Sequence, residues 1–388
     1  MVLRERSALF GHRTVGFDYL RLVLAFSVVA WHSFGLLRGR EAIEVALQNV
    51  YVSVPVYLIL PMFFALSGYL VTGSLERSNS VQGYLLARGL RLFPALMVEV
   101  LIAALILGPL VTSLSVQAYL SDPGFFKYFL NIVGLVRYEL PGVFLGNPYP
   151  QAVNGSLWTV PFELECYIDL MLLYLLGVFR SRWLVLAAFV LLSVMMIGMG
   201  FTSAKGLVAA FKDLVIGASG VQANLQEATN SSIQIARTLV ASFFAGALIH
   251  SWADRLPFNG WLAAVCGVSG VLLLSSATTY FYAPLPLAYL TVWLGLLSPP
   301  RNLLTNGGDY SYGVYLYSFP IQQTLAWTGF YSSYWAFFAS AVLCSLAIAV
   351  LSWHLIEKPC LRLRARIERR RPRQDGGKLA PAVPGHGK

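Results

Sequence analysis

Apolar runs of membrane-spanning length, sparsely charged, recur from one end of this chain to the other. An isolated segment closes all its backbone hydrogen bonds inside hydrocarbon only as an α-helix, so each run reads as a helix. Ten runs stand out: Phe17–Leu37, Val50–Val71, Phe93–Val111, Ser156–Phe179, Trp183–Phe201, Ile233–His250, Trp261–Thr278, Tyr280–Leu297, Ser311–Phe330 and Trp335–Ile356. Most approach the roughly 20 residues that cross a bilayer core. Ala283-Pro-Leu-Pro interrupts the Trp261–Leu297 region and makes it the least regular. Of the 388 residues, 57% are hydrophobic and 12% charged, against about 25% charged in an average soluble domain. The expected fold class is all-α: a polytopic membrane protein with about ten transmembrane helices in one bundle. No small-residue cleavage site follows the first run, which reads as a retained helix.

Arginine and lysine give the orientation. With ten spans both termini share a side, and that side carries Arg4, Arg6, Arg13, Arg77, Arg88, Arg91, Arg180, Arg182, Arg255 and Arg301. The other carries Arg38, Arg40, Lys127, Arg137, Lys205, Lys212 and Arg237. This bias places both termini in the cytoplasm of a multi-pass inner (plasma) membrane protein. Residues 1–13 form a cytoplasmic N-terminus, 14–365 one membrane domain, and 366–388 a basic cytoplasmic tail expected to be disordered. Much of the net charge of +10 collects from Arg362 to Arg373. Directly after a span, such a cluster reads as facing anionic lipids. No aromatic interleaving or fold module accompanies it, which argues against nucleic acid. Two long connections, Thr112–Gly155 and Thr202–Ser232, fall on the outer side. Each holds a short amphipathic piece, Phe125–Val136 and Gly206–Ile216, suited to the interface or to folding back over a cavity.

Within the spans few residues ionise. Arg21 and His32 lie eleven positions apart, almost three turns, so they project from the same helix face about 16 Å apart along its axis. A guanidinium at membrane depth is a functional hypothesis by default, because burying it is costly. Glu165, Asp169 and Trp158 share one face of another helix, and Glu163 and Tyr167 share a different one. Arg88 and Arg91 are i,i+3 neighbours at the cytoplasmic mouth of the third span; they read either as positive-inside anchors or as a clamp for phosphate. His32 alone reads either as a helix-bridging polar residue or as a catalytic one. His250 and His354 sit at span ends, where packing explains them. Cys166, Cys266, Cys344 and Cys360 show no paired spacing and behave as small buried hydrophobes. No nucleophile elbow, Walker loop or metal motif is present. Gly308-Asp309-Tyr310 reads only as the lead-in to a helix.

Six segments together resemble the acyltransferase-3 family of membrane acyltransferases, several of whose members O-acetylate surface polysaccharides. Phe17-Asp-Tyr-Leu-Arg21 with His32 resembles its arginine–ten residues–histidine pair. Pro61-Met-Phe-Phe-Ala-Leu-Ser67-Gly68-Tyr69-Leu resembles its Phe-Phe-x-Leu-Ser-Gly segment, and Arg88, Arg91 and Pro94 the start of its third helix. Asn154-Gly-Ser-Leu-Trp158-Thr-Val-Pro-Phe-Glu163, followed by Tyr167, resembles its Leu-Trp…Glu signature. Asp309-Tyr-Ser311-Tyr312-Gly313-Val-Tyr315-Leu316 and Leu355-Ile-Glu357-Lys358-Pro359 resemble the two C-terminal ones. The resemblance runs in order over about residues 14–365. Many members carry histidine where this chain has Ser318, so no second imidazole is expected there. The soluble esterase-like domain fused to some relatives is not seen.

The resemblance implies an acyl-CoA donor, most often acetyl-CoA, and a carbohydrate hydroxyl as acceptor; with no metal motif in the sequence, no metal is expected. Arg88 and Arg91, helped by Arg21, are expected to hold the CoA phosphates while the thioester arm runs toward His32. His32 is then a general base on the sugar hydroxyl or a covalent relay, since imidazole titrates near operating pH. Glu163 is expected to orient or charge-stabilise His32, and Trp158, Tyr167, Ser67 and Tyr315 to support the site. The rival readings are a transporter or flippase of a lipid-linked glycan, which needs no acyl donor, and a non-catalytic scaffold. The matched segments and the lack of an internal repeat favour the enzyme.

Overall fold

Each apolar run of the sequence contains a helix, and the polar residues between runs cap or end it. This computed structural model describes residues 1–10, 14–78, 80–198, 226–276, 279–329 and 333–363. Its long helices are α1 (Val15–Arg38), α2 (Val50–Ser78), α3 (Val81–Val111), α4 (Val160–Leu175), α5 (Arg182–Gly198), α6 (Gln226–Ser251), α7 (Gly260–Leu274), α8 (Pro284–Gly295), α9 (Ser311–Trp327) and α10 (Tyr334–Leu363). Of these α1, α2, α3 and α10 are long and apolar enough to cross a membrane. Among the described residues the only β pairing is two isolated bridges, Val2 with Pro257 and Glu139 with Ala152. The class is all-helical, as the sequence indicated. The Gly206–Ile216 piece and the tail at 366–388 lie outside the described residues.

Two helices differ from the sequence reading in an instructive way. α3 starts at Val81, not at Phe93, so Arg88 and Arg91 sit two to three turns inside it. Ser80 caps it, its hydroxyl accepting from the Gly83 amide at 3.0 Å, and both arginines find partners on other helices. Hydropathy ended the run where charge began; tertiary pairing let the helix continue. Between Thr279 and α8, a 3-10 turn at Tyr280–Tyr282 precedes Pro284, which sits at the start of α8 where its missing N–H costs no hydrogen bond.

α2 and α6 form the spine. Their backbones approach so closely that a Cβ at Gly68 would strike the Phe243 carbonyl, and one at Gly246 would strike that of Ala65. Small residues allow this approach where lipid supplies no hydrophobic drive between helices. α8 packs against both, α7 covers α8, and α9 sits between α1 and α10. The Thr112–Gly155 connection folds onto the bundle rather than away from it. Its helices Val116–Ser121 and Pro123–Tyr128 bury Tyr119, Phe125 and Tyr128 against Leu96, Val100 and Ala104. The Tyr119 hydroxyl donates to the Ala104 carbonyl at 2.7 Å, in the π-helical turn Ala103–Leu107 where the regular ladder is broken. At the other end, the short helix Leu3–Ala8 docks through Leu3, whose amide donates to Leu256 at 3.0 Å.

Candidate active site

A cavity of about 130 Å³ opens where α1, α2, α3, α4 and α9 converge. α1 contributes Arg21; α2 Phe63 and Ser67; α3 Arg88 and Arg91; the turn into α4 Thr159; α4 Glu163 and Tyr167; and α9 Ser311, Tyr312 and Tyr315. Seven residues singled out from sequence (Arg21, Ser67, Arg88, Arg91, Glu163, Tyr167 and Tyr315) therefore share one lining. His32 and Trp158 do not line it.

One end of the cavity is ionic. Arg21 Nη1 donates to Asp309 Oδ2 at 2.8 Å, and Arg91 Nη2 donates to the same oxygen at 2.6 Å. Arg91 Nη1 reaches Glu357 Oε2 at 3.3 Å. Each carboxylate is itself steadied: Ser311 Oγ donates to Asp309 Oδ1 at 2.6 Å and Ser352 Oγ to Glu357 Oε1 at 3.2 Å. The Arg91 guanidinium also lies over the rings of Tyr312 and Trp353, at 5.7 and 5.8 Å. Burial alone would raise the Asp309 carboxyl, but Arg91, Arg21 and the Ser311 hydrogen bonds hold it well below the usual carboxylate range. Arg88 is different. Its Nη2 makes a long contact of 3.4 Å to Ser74 Oγ, its guanidinium lies 5.8 Å from the Tyr167 ring centroid, and its Nε is buried without a partner.

On the α4 wall the Tyr167 hydroxyl donates to Glu163 Oε1 one turn earlier, and the Tyr84 hydroxyl fixes the Tyr167 carbonyl at 3.0 Å. Tyr315 closes the far end. Its hydroxyl donates to the Ser156 carbonyl at 3.0 Å and meets Thr159 Oγ1 at 2.7 Å.

His32 stands beyond that closure. Its ring meets Phe319, one turn after Tyr315, edge to face at 5.1 Å, and its Nδ1 is buried with no hydrogen-bond partner. Among the described residues no hydrogen bond joins Glu163 to His32; Glu163 meets Tyr167 instead. Two fully buried glutamines hold this region. Gln322 ties α9 to α1 beside His32, donating to the Val29 carbonyl at 2.9 Å and to Ser33 Oγ at 2.7 Å. Gln323 donates to the carbonyls of Tyr149 and Ala152 at 2.8 and 2.7 Å, pinning the long connection against α9. Trp158 packs edge-on against Phe162 at 6.0 Å. Ser318, in the place of the second imidazole, is buried and turns its hydroxyl back to the Tyr315 carbonyl at 3.4 Å.

Asp309 is more than a helix lead-in: it is the hub of the ion cluster, and Glu357 is its second acid. Sequence reasoning gave neither a role, nor Gln322, Gln323 and Phe319. The available signal was economy, because in a chain with 28 basic and 18 acidic residues, acids flanking apolar runs need cations. Among the described residues no three histidine, cysteine or acidic side chains gather as for a metal ion.

The chain matches a family model described as "Acyltransferase domain" (the acyltransferase-3 group) over residues 14–354. It is 31% identical over 385 residues to "Nodulation protein 10" of Rhizobium leguminosarum bv. viciae, covering 93% of this chain and 96% of that protein. It is 25% identical over 368 residues to an "O-acetyl transferase" of Shigella phage Sf6, covering 89% of this chain and 96% of the relative. No solved structure matches it.

Proposed function

The chain belongs to that acyltransferase family, and from this premise we propose that it transfers an acyl group, acetyl first, from acyl-CoA to a hydroxyl of a surface or exported carbohydrate. The observation that carries the reading is this cavity itself, with three arginines at one end and the Tyr315–Thr159 closure at the other. His32 meets the ring of Phe319, which stands one helical turn past Tyr315 on α9. The rise along α1 from Arg21 to His32, about 16 Å, is comparable to an extended pantetheine arm. The relative named as an O-acetyl transferase supports oxygen as the accepting atom and acetyl as the group.

In this mechanism the donor enters at the arginine end. Arg88, whose guanidinium has no carboxylate partner among the described residues, meets the phosphates first, with Arg91 and Arg21 beside it. The thioester then passes Tyr315 to His32. His32 takes the proton of the sugar hydroxyl, the hydroxyl oxygen bonds to the acyl carbon, and the carbon–sulfur bond breaks. The departing thiolate takes up the proton as free CoA thiol. Glu163, paired with Tyr167 among the arginines, acts on the donor side by setting the charge of the wall rather than by touching His32.

Basic residues favour the arginine end as the cytoplasmic one, where acyl-CoA is made. The arrangement proposed is ten spans in an inner (plasma) membrane with both termini cytoplasmic and the basic tail against anionic lipid. Mass spectrometry of the surface glycan, with and without this protein, tests the reading. Loss of the mass increment of one acetyl group supports it, and loss of the whole glycan would instead indicate export.

A further inference from the structure

Asp309 does not line the cavity, yet both arginines that it holds do. The two guanidiniums come from helices far apart in sequence, and as like charges they would separate if nothing stood behind them. One carboxylate oxygen, Oδ2, lies within hydrogen-bond reach of both. The other, Oδ1, is anchored by Ser311, so Oδ2 has a fixed aim. Arg91 has a second acid in Glu357, whereas among the described residues the ion pair of Arg21 is with Asp309 alone. A guanidinium carries five N–H donors, so each arginine keeps donors free after meeting its carboxylates. Planar forks held side by side match the oxygens of a phosphate group.

We infer that Asp309 is a positioning residue that selects phosphate-bearing donors: it clasps Arg21 and Arg91 together, so that their remaining N–H groups and the uncommitted guanidinium of Arg88 make one anion seat. This rests on the donor reading proposed above and adds to it a residue that never touches the donor. Asp309 acts through the two arginines, so its removal is felt where the donor carries phosphate and not at the thioester. Its carboxyl stays ionised throughout the neutral range because it is held below the usual carboxylate values.

The test compares two donors on the full-length protein in membranes: acetyl-CoA, and acetyl-pantetheine, which has the same thioester arm and no phosphate. Wild-type protein is expected to prefer acetyl-CoA strongly. The isosteric D309N should raise KM for acetyl-CoA about tenfold with a smaller change in kcat, and leave kcat/KM for acetyl-pantetheine as in wild type. D309E should recover part of the loss. S311A, which frees Oδ1 while keeping the charge, should shift KM the same way by less and serves where D309N does not accumulate. A D309N or S311A protein impaired equally with both donors, or one with unchanged KM for acetyl-CoA, overturns the inference. Wild-type protein that uses both donors equally well overturns the donor reading itself, and the inference with it, before any variant is compared.

Discussion

The arginine end of the cavity and the histidine region beyond its Tyr315 closure are made of opposite material. At the arginine end, Asp309 and Glu357 tie α1, α3, α9 and α10 into one ion cluster whose acids each have a hydroxyl behind them. At the histidine end, among the described residues, no charged partner lies within hydrogen-bond reach of Nδ1; an edge-on Phe319 and two buried glutamines define the surroundings. Charge is concentrated where an anion would be received, and neutral rigidity where a proton would move. A general base works best when its proton affinity is matched to the operating pH, and that affinity is set by its surroundings.

Four substitutions bear on that contrast, the strongest at the histidine end. H32A should lower acyl transfer about 10²- to 10⁴-fold while protein abundance in the membrane stays unchanged, because the ring makes an edge contact and no hydrogen bond from Nδ1. Full transfer by H32A, measured with labelled acetyl-CoA, would erase the contrast by removing the chemistry from that end. At the arginine end the two neighbours on α3 should part company. R91A leaves Glu357, 1% exposed, as a buried carboxylate without its cation, a loss of about 3–5 kcal/mol, visible as lower thermal stability in detergent. R88A breaks no ion pair among the described residues, so it should keep its melting temperature and raise KM for acetyl-CoA about tenfold. Equal melting losses for R91A and R88A would show that the cluster is not what separates them. The smallest effect is expected from F319A. Removing the ring between the Tyr315 closure and His32 should admit water and raise acceptor-independent hydrolysis of acetyl-CoA severalfold, measured as released thiol.

Much of this was legible in order along the chain. The run Phe17–Leu37 became α1 at Val15–Arg38, and Arg21 with His32 stand on it as the 3.6-residue period requires. Arg88, Arg91, Glu163, Tyr167, Ser67 and Tyr315 reached one lining. The boundary at Phe93 failed because a hydropathy window stops at charge, and charge inside α3 is satisfied from elsewhere. The pairing of Glu163 with His32 was not found because facing partners depend on how helices rotate against each other. A hydroxyl four residues away, on Tyr167, was the nearer partner.

The sequence by itself determined that this chain is helical and membrane-like, that Arg21 and His32 share a rail, and that the chain resembles one family of acyltransferases. Those are local properties, set by period, length and motif. Only the tertiary structure decided which arginines are held by carboxylates among the described residues, because Asp309 lies 288 positions from Arg21 and 218 from Arg91, and Glu357 lies 266 from Arg91. No periodicity reaches so far; the ion cluster exists because helix packing brings four distant segments to one point.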